Sequence, residues 1–386
     1  MNKNKLLISK MGAFTLLSVA CLTIMVGCVI TPSINEIALA IELKHSPGLL
    51  VTLPSLGVVV FGISAGRFID SIGAYIALCI GLFFYGLLGA IGALIYDDNL
   101  LLIDRFVLGG ACALVMTSGT TLISYFYSGP KRLKMIAIQG MSIEIGGVIF
   151  LSIGGVLGAI SWRWPFVLYL MAWLFLIMVL LFVPKPLHHA ITKSPDILSK
   201  TLSNPLRRLQ VIFFAALSSM VLFFVGIIII PQRFHLLHIN TANTGFFLAF
   251  LSLVAVGAAS QMPKFVVKFS AYKTLFMAFL SYMVGLLIYS IASTFWFFVP
   301  GAIFMGIGFG LSIPLVNHMI VEESPSQYRG RNLAYLAMAI YLGQFMSSFI
   351  DGISNDSQII FIGTAILAIL MAIIFFYIDQ NKRDKA

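Results

Sequence analysis

Long apolar runs, one after another, limit what this chain can fold into more than any other feature of its sequence. Twelve such runs are divided by short breaks that are polar or contain Pro and Gly. Each run has roughly the 20 residues that one helix needs to cross the hydrocarbon core of a bilayer. Their approximate limits are 12–33, 49–69, 74–95, 100–125, 135–157, 165–184, 209–231, 244–263, 273–293, 296–320, 333–350 and 359–378. The pattern predicts an all-α membrane protein with 12 transmembrane helices and no separate extramembrane domain.

The composition excludes several classes of soluble protein. Of the 386 residues, 60% are hydrophobic and only 10% are charged, and the mean hydropathy is +1.02. Soluble domains have about 25% charged residues, so this chain lacks the charge to cover a water-facing surface. We therefore exclude a soluble enzyme, a nucleic-acid-binding protein and a disordered chain.

The positions of Lys and Arg predict how the chain is threaded through the membrane. If both termini are cytoplasmic, 20 of the 24 basic residues fall in inside segments, three fall outside and Arg105 lies within a span. Cytoplasmic segments of membrane proteins carry an excess of Lys and Arg. We expect a multi-pass protein of the plasma (inner) membrane, and its net charge of +10 then needs no nucleic acid as a partner.

The two halves of the chain share an internal repeat at an offset of 197 residues. Segment 67–75 (RFIDSIGAY) lies over segment 264–272 (KFVVKFSAY). The same offset pairs Gly109 with Gly306, Arg132 with Arg329, Gly146 with Gly343 and Gly155 with Gly352. A constant offset predicts two parallel six-helix repeats with a central cavity, an architecture that binds substrate between its halves. We assign 1–184 to an N-terminal half, 185–208 to a cytoplasmic central loop and 209–386 to a C-terminal half.

Four short motifs lie in or beside the first six spans. They are Gly66, Asp70 and Gly73 after the second span, Arg105 and Gly109 in the fourth, Gly146, Gly154 and Gly155 in the fifth, and Ser161-Trp-Arg-Trp-Pro-Phe166 before the sixth. Together they resemble the patterns of the major facilitator superfamily, most closely its twelve-span drug and metabolite exporter branch. The chain departs from these patterns at Ser71, Ala74 and Tyr75, where the family has basic residues. It also has Phe150 and Leu151 where proton-driven exporters have Gly-Pro.

The resemblance implies a secondary active transporter that works by alternating access. We expect proton-coupled export of an amphipathic small molecule, such as a drug or a siderophore-like metabolite. The alternative is proton-coupled uptake of a small nutrient or organic anion, which the missing Gly-Pro favours. We expect a monomer without cofactor or metal, driven by the proton gradient. An enzyme is disfavoured, since the chain has no nucleotide-binding Gly-x-x-x-x-Gly-Lys-Ser/Thr loop and no His/Asp cluster within spans.

Three charged residues stand out because they lie away from the cytoplasmic ends of the predicted spans. Asp104 and Arg105 lie early in the fourth span, and Glu144 lies near the middle of the fifth. Charges are costly in hydrocarbon and usually face a cavity or a partner. Burial favours the neutral form of a carboxyl group and a nearby guanidinium favours the charged form, so a carboxylate there can load and release a proton. These three residues are our candidates for proton coupling or substrate binding; the alternative is a permanent ion pair that locks spans four and five together.

A second group of candidates lies at the inner end of the second span. The resemblance implies a cytoplasmic gate formed by Gly66, Arg67, Asp70 and Gly73. In such a gate the carboxylate docks against the N-terminus of a helix in the other half, where the helix dipole is positive. The alternative is a charge that merely anchors the loop at the membrane face.

Four further polar residues lie within spans and are candidate contacts to a substrate. They are Gln139, Asn317, His318 and Gln344. A His near the end of a helix can change its charge near physiological pH. The alternative for all four is a hydrogen bond that holds helices together, a common role of polar side chains in membranes.

Overall fold

A computed structural model describes residues 8–186, 205–325, 328–354 and 356–383. These residues form helices, with no strand among them. The helices are α1 Lys10–Cys28, α2 Ile34–Ala40, α3 Gly48–Ile72, α4 Ala74–Ile91, α5 Asp98–Phe126, α6 Gly129–Ile160, α7 Trp164–Val167, α8 Met171–Phe182, α9 Pro205–Leu236, α10 Thr241–Phe269, α11 Ala271–Ile291, α12 Phe295–Glu323, α13 Arg329–Asp351 and α14 Ser357–Arg383. The predicted central loop falls largely outside the described residues, which stop at Pro186 and resume with α9 at Pro205.

Twelve helical segments of the described chain are long and apolar enough to cross a membrane, as the sequence predicts. The first of them, Lys10–Ala40, is longer than the predicted run. It consists of α1, a 3-10 turn at Thr31–Ser33 and α2. Pro32 lies within that turn, and because proline has no backbone N–H it cannot extend the α-helical hydrogen bonds. The first span is therefore broken near its far end.

The described helices form two compact units, each with its own contacts. The first unit contains α1, α2, the part of α3 from Leu53 onward, and α4 to α8. The second contains α9 to α14 together with residues 45–52, which precede and begin α3. Helix α3 thus passes from one unit into the other at Leu53.

The internal repeat is confirmed by the positions at which helices begin and end. Helices α5 and α12 each have 29 residues, and both their first and their last residues are 197 positions apart. A single residue separates α3 from α4 and α10 from α11, and these residues, Gly73 and Ser270, are also 197 apart. Both have a positive φ, 88° at Gly73 and 85° at Ser270. The two halves therefore repeat not only in sequence but in an uncommon backbone conformation.

Closely packed glycines repeat as well. A Cβ added to Gly109 would lie 2.1 Å from the carbonyl oxygen of Pro54, and one added to Gly306 would lie 2.8 Å from that of Leu251. Pro54 and Leu251 are again 197 positions apart. Small residues let membrane helices approach closely without a hydrophobic driving force. The same pair of helices within each unit is therefore held together by the same glycine.

Candidate functional site

Arg105 is a fully buried charge in the first unit. It lies on the second turn of α5, with no part of its side chain exposed. Its Nη2 and Nε donate to Oδ2 of Asp104 at 3.1 and 3.4 Å, and its Nη1 donates to the hydroxyl of Tyr169 at 3.0 Å. Asp104 is itself 7% exposed. The two charges therefore neutralise each other within one helix.

Aromatic rings enclose the guanidinium. Its carbon lies 5.2 Å from the centre of the Phe166 ring and 5.1 Å from that of Tyr169, within the range of cation–π attraction. Gly92 leaves the space for this arrangement, because a Cβ there would lie 2.6 Å from Cε1 of Phe166 and 3.0 Å from Nη2 of Arg105. A glycine on one side and rings on the other thus fix the position of the cation.

Two buried tyrosines connect this cluster to α1. The hydroxyl of Tyr169 donates to the carbonyl of Val26 at 2.7 Å, and the hydroxyl of Tyr85 donates to that of Leu22 at 2.6 Å. Their ring centres are 5.8 Å apart. The chain of hydrogen bonds from Arg105 through Tyr169 therefore ends on the backbone of α1 and fixes α5 relative to the first span.

Glu144 has a different environment. It is half-buried on α6 and makes no hydrogen bond or ion pair with any residue that the structure describes. Two residues before Glu144, the carbonyl of Ser142 accepts from the thiol of Cys21 at 3.1 Å. Two residues after it, a Cβ added to Gly146 would lie 2.9 Å from Cβ of Cys21. Glu144 therefore lies on a stretch of α6 packed against α1, and no cation of the described residues pairs with it.

Arg105 and Glu144 are not brought together as an ion pair. The carboxylate that binds Arg105 is its neighbour Asp104, so the ion pair lies within the fourth span and does not lock it to the fifth. The link that Arg105 does make to another span runs through Tyr169. Of the three charged candidates, Asp104 and Arg105 form an ion pair, and Glu144 is not part of it.

The predicted gate residues lie at the end of α3. Arg67 and Asp70 are exposed, and neither pairs with a residue of the described chain. A Cβ on Gly66 would meet nothing within 4 Å, so this glycine allows no close contact inside the first unit. Gly73 is needed for its backbone: its φ of 88° is in a region that side chains disfavour. The role of these residues as a gate stays a prediction.

Three of the four polar candidates bond residues of their own helix or of the neighbouring helix. The amide of Gln139 donates to Thr120 Oγ1 at 3.1 Å, which joins α6 to α5. Asn317 donates to the carbonyl of Ile313 in its own helix. Exposed His318 lies 3.2 Å from Glu322, one turn along α12. Gln344 is buried on α13. The structure supplies a protein partner for three of them.

No sequence motif marks Tyr85 or Tyr169. Tyr85 could have been found, because it lies 197 residues before Tyr282, which is also fully buried. Tyr169 follows the Phe166 motif by three residues, but nothing in that spacing marks it as the partner of Arg105. Among the described residues, no group of three or more His, Cys, Asp or Glu is placed to hold a metal ion.

Comparison with known families agrees with this architecture. The family model of the Major Facilitator Superfamily matches residues 14–348 and, in a second match, residues 264–386. The chain belongs to the major facilitator superfamily. Members of this superfamily are multi-pass membrane transporters and are not enzymes generally.

Individual relatives in the superfamily match shorter segments. The quinolone resistance protein NorA of Staphylococcus aureus is 26% identical over 119 residues, which is 31% of this chain and 31% of NorA. The MFS-type transporter EfpA of Mycobacterium tuberculosis is 31% identical over 102 residues, 26% of this chain and 19% of EfpA. The matched segments thus span less than a third of the length of either relative.

Solved structures of superfamily members match almost the whole chain. The nucleoside transporter NupG has a TM-score of 0.78 at 12% identity and covers 95% of this chain and 99% of its own. The xylose transporter XylE of E. coli, in an inward open conformation, has a TM-score of 0.69 at 17% identity and covers 94% and 95%. At these identities the likeness shows the fold alone.

Proposed function

We propose that this chain exports an amphipathic, cationic small molecule across the plasma membrane in exchange for protons. The observation that carries the proposal is the contrast between two carboxylates of neighbouring spans, Asp104 and Glu144. Asp104 is held by Arg105, whereas Glu144 has no partner in the described chain. An ionised carboxylate without a cation is costly inside a membrane. Glu144 is therefore the group that a proton or a cationic cargo would neutralise.

Exchange follows if the two ligands cannot be bound together. When Glu144 carries a proton it is neutral and has no charge to offer a cation. When a cationic cargo is bound, the carboxylate is already neutralised and the proton is released. Such competition at one carboxylate couples proton entry to cargo exit, provided that access alternates between the two sides. The match to NorA, a quinolone resistance protein, supports export.

Arg105 and Asp104 take a positioning role in this proposal. Their charges are satisfied by each other and by Tyr169, so neither needs a proton or an anion to be stable. Through Tyr169 and Val26 they hold α5 against α1, and α1 in turn packs on the stretch of α6 that carries Glu144. The pair therefore supports the carboxylate from two helices away.

The gate and the orientation belong to the same proposal. With both termini cytoplasmic, the α3–α4 turn at Gly73 lies on the inner side, and Asp70 closes that side by docking on a helix N-terminus. Gln344, buried in its span, is retained as a contact to cargo. Gln139, Asn317 and His318 are less suited, since each already bonds another protein group.

Efflux of a fluorescent lipophilic cation tests the proposal. Cells making the wild-type protein are loaded with ethidium, and efflux is followed with and without a protonophore. We expect protonophore-sensitive efflux that Glu144→Gln abolishes. Glu42→Gln is the matched control, because Glu42 is exposed in the loop before α3 and its substitution should leave efflux unchanged.

Two outcomes would contradict the proposal. Efflux that Glu144→Gln leaves intact would remove this residue from coupling. Ethidium that accumulates faster in cells making the protein would favour uptake, the function that Phe150 and Leu151, both buried in α6 in place of Gly-Pro, would suit. In that case anionic and nutrient substrates would be screened next.

A further inference from the structure

Asp351, the last residue of α13, is a buried carboxylate that the sequence motifs do not mark. It is 9% exposed and is surrounded by donors within the second unit. Its Oδ2 accepts from the backbone N–H of Gly48 at 3.1 Å and from the hydroxyl of Ser46. Its Oδ1 accepts from Nε2 of Gln232 at 2.9 Å. Both carboxylate oxygens are therefore occupied.

The position of this carboxylate is unfavourable for its own helix. The C-terminus of a helix carries the negative end of the helix dipole, so an acidic last residue is repelled there. Gly48 is the first residue of α3, and the first N–H groups of a helix have no partner within it and carry the positive end of the dipole. Asp351 is thus stabilised by the start of α3 and not by α13.

The contact is tightly fitted on both helices. A Cβ on Gly48 would lie 2.8 Å from Oδ2 of Asp351 and 2.8 Å from Cγ2 of Ile228, so a larger residue would break it. One turn further along α3, the hydroxyl of Thr52 bonds that of Ser348, and both side chains are buried. The first turn of α3 is therefore held to α13 at two successive levels.

The repeat shows that this polar contact is peculiar to one pair of helices. The residues 197 positions before Ser348 and Asp351 are Leu151 and Gly154 in α6. The residue 197 positions after Thr52 is Ala249 in α10. None of these three has a polar side chain, so the equivalent helices of the repeat cannot form the same bonds. The contact is therefore not a consequence of the fold that the two halves share.

We propose that Asp351 is a releasable latch on the first turn of α3. The inference rests on the proposed transport function. Helix α3 continues into the first unit at Leu53, so alternating access, in which the two halves rock, pulls on the turn that Asp351 holds. The carboxylate stabilises the state in which Gly48 and Ser46 donate to it, and in the other state water takes their place. In the predicted topology this latch lies at the outer end of α3, opposite the gate at Asp70.

A reversible cross-link between the two helices tests whether the latch must open. In a background whose four cysteines (Cys21, Cys28, Cys79 and Cys112) are replaced by Ala, Thr52→Cys and Ser348→Cys are introduced together. We expect oxidation to join the pair and stop ethidium efflux, and reduction to restore it. Suppose that the cross-linked protein exports ethidium as fast as the same protein after reduction, or faster. The contact would then be a static helix cap, and the proposal would be overturned.

A labelling experiment tests the carboxylate and does not require a known cargo. Thr52→Cys alone, which replaces a fully buried side chain, is treated in whole cells with a membrane-impermeant maleimide. We expect Asp351→Asn to raise the labelling rate about tenfold, since hydrogen bonds to a charged group are lost. Asp356→Asn, which removes an exposed acid just beyond α13, is the control and should not change the rate.

The two readouts separate failure of the latch from failure of the transport proposal. If wild-type protein does not move ethidium but Asp351→Asn still raises labelling, the latch stands and the cargo assignment fails. If Asp351→Asn and Asp356→Asn label at the same rate as their parent, the latch is wrong whatever the protein transports.

Discussion

In each of the two units a large side chain packs against a glycine of a neighbouring segment, but the positions of the two residues are exchanged. In the first, a large side chain from α5, Arg105, fills the space beside Gly92. In the second, the residue equivalent to Gly92 is Tyr289 of α11, and it fills the space beside Gly301, where a Cβ would lie 2.4 Å from Cε1 of the tyrosine. The large side chain comes from α5 in the first unit, but in the second unit it comes from α11 and the small residue lies in α12.

This difference between the units replaces charged side chains by aromatic ones, although the helices begin at equivalent positions. Gly301 and Ala302 stand at the positions of Asp104 and Arg105, so the second unit has no counterpart of this ion pair. The ring of Tyr289 packs on Phe298 and Phe361, with ring centres 5.6 and 5.5 Å away. A duplicated fold can thus keep its helix spacing with a charged cluster in one copy and an aromatic one in the other.

Breaking the charged cluster should have the largest effect. Arg105→Met leaves the Asp104 carboxylate buried and unpaired, and we expect a loss of about 3–5 kcal/mol in the free energy of unfolding. Adding Asp104→Asn should recover part of that loss, because the uncompensated charge disappears. Heat-induced unfolding of purified protein in detergent measures both. Arg163→Met, which removes an exposed arginine, is the control; equal losses in the two single variants would contradict the comparison.

A smaller effect is expected at the two repeated glycines. Gly109→Ala and Gly306→Ala each push a methyl group towards a carbonyl oxygen, at 2.1 and 2.8 Å. Overpacking costs about 1–3 kcal/mol, and we expect the Gly109 variant to lose more because its neighbour is closer. Gly62→Ala on α3, where a Cβ meets nothing within 4 Å, should leave the unfolding temperature unchanged. If Gly306→Ala lost more stability than Gly109→Ala, the two units would differ in how far they relax around an added methyl group.

The equivalent tyrosines should differ by less. Tyr85→Phe removes a hydrogen bond to the Leu22 carbonyl, at a cost of about 0.5–1.5 kcal/mol. Tyr282 shares its hydroxyl with Ser219, which also bonds Ser312 at 2.6 Å. Because that serine pair survives in Tyr282→Phe, we expect its loss to be at the lower end of the range. Unfolding temperatures of the two variants, measured side by side, decide; a larger loss for Tyr282→Phe would be the contrary result.

The smallest effect is expected at the turn between α10 and α11. Ser270 has a backbone conformation that costs about 1–3 kcal/mol for residues other than glycine. Its hydroxyl donates to Asp379 at 2.5 Å and accepts from the backbone N–H of Lys273 at 3.2 Å. In Ser270→Gly the relief of strain and the loss of these bonds should nearly cancel. Ser270→Ala keeps the strain and loses both bonds, so it should unfold at a lower temperature than both Ser270→Gly and the wild type. Equal unfolding temperatures for the Ala and Gly variants would exclude this balance.

The fold was predictable because its determinants are repeated and local. Each span needs only an apolar run of sufficient length, and the offset that pairs Gly109 with Gly306 also aligns the ends of α5 and α12. The predicted first run, 12–33, ends at the break around Pro32, and only the short helix α2 beyond it was not predicted. A single proline near the end of a long apolar run can equally kink, end or begin a helix.

The candidate site was predictable only in part. The cost of burying charge singled out Asp104, Arg105 and Glu144, but it could not say which carboxylate binds the arginine. A long arginine side chain reaches several neighbours, and the outcome here depends on Gly92, Phe166 and Tyr169, which come from elsewhere in the chain. Pairing decided by three distant residues is not visible in local spacing.

The shared turn at Gly73 and Ser270 has a consequence for how this chain diverged after its duplication. From each of these residues to the end of the second helix that follows, Phe126 or Glu323, the two copies are equally long and their helices begin at the same steps. Neither copy has a net gain or loss of residues over that stretch, so the two copies can be aligned there without a gap. Segments 73–126 and 270–323 are therefore interchangeable in length, and a chimaera that carries either one twice needs no loop redesigned.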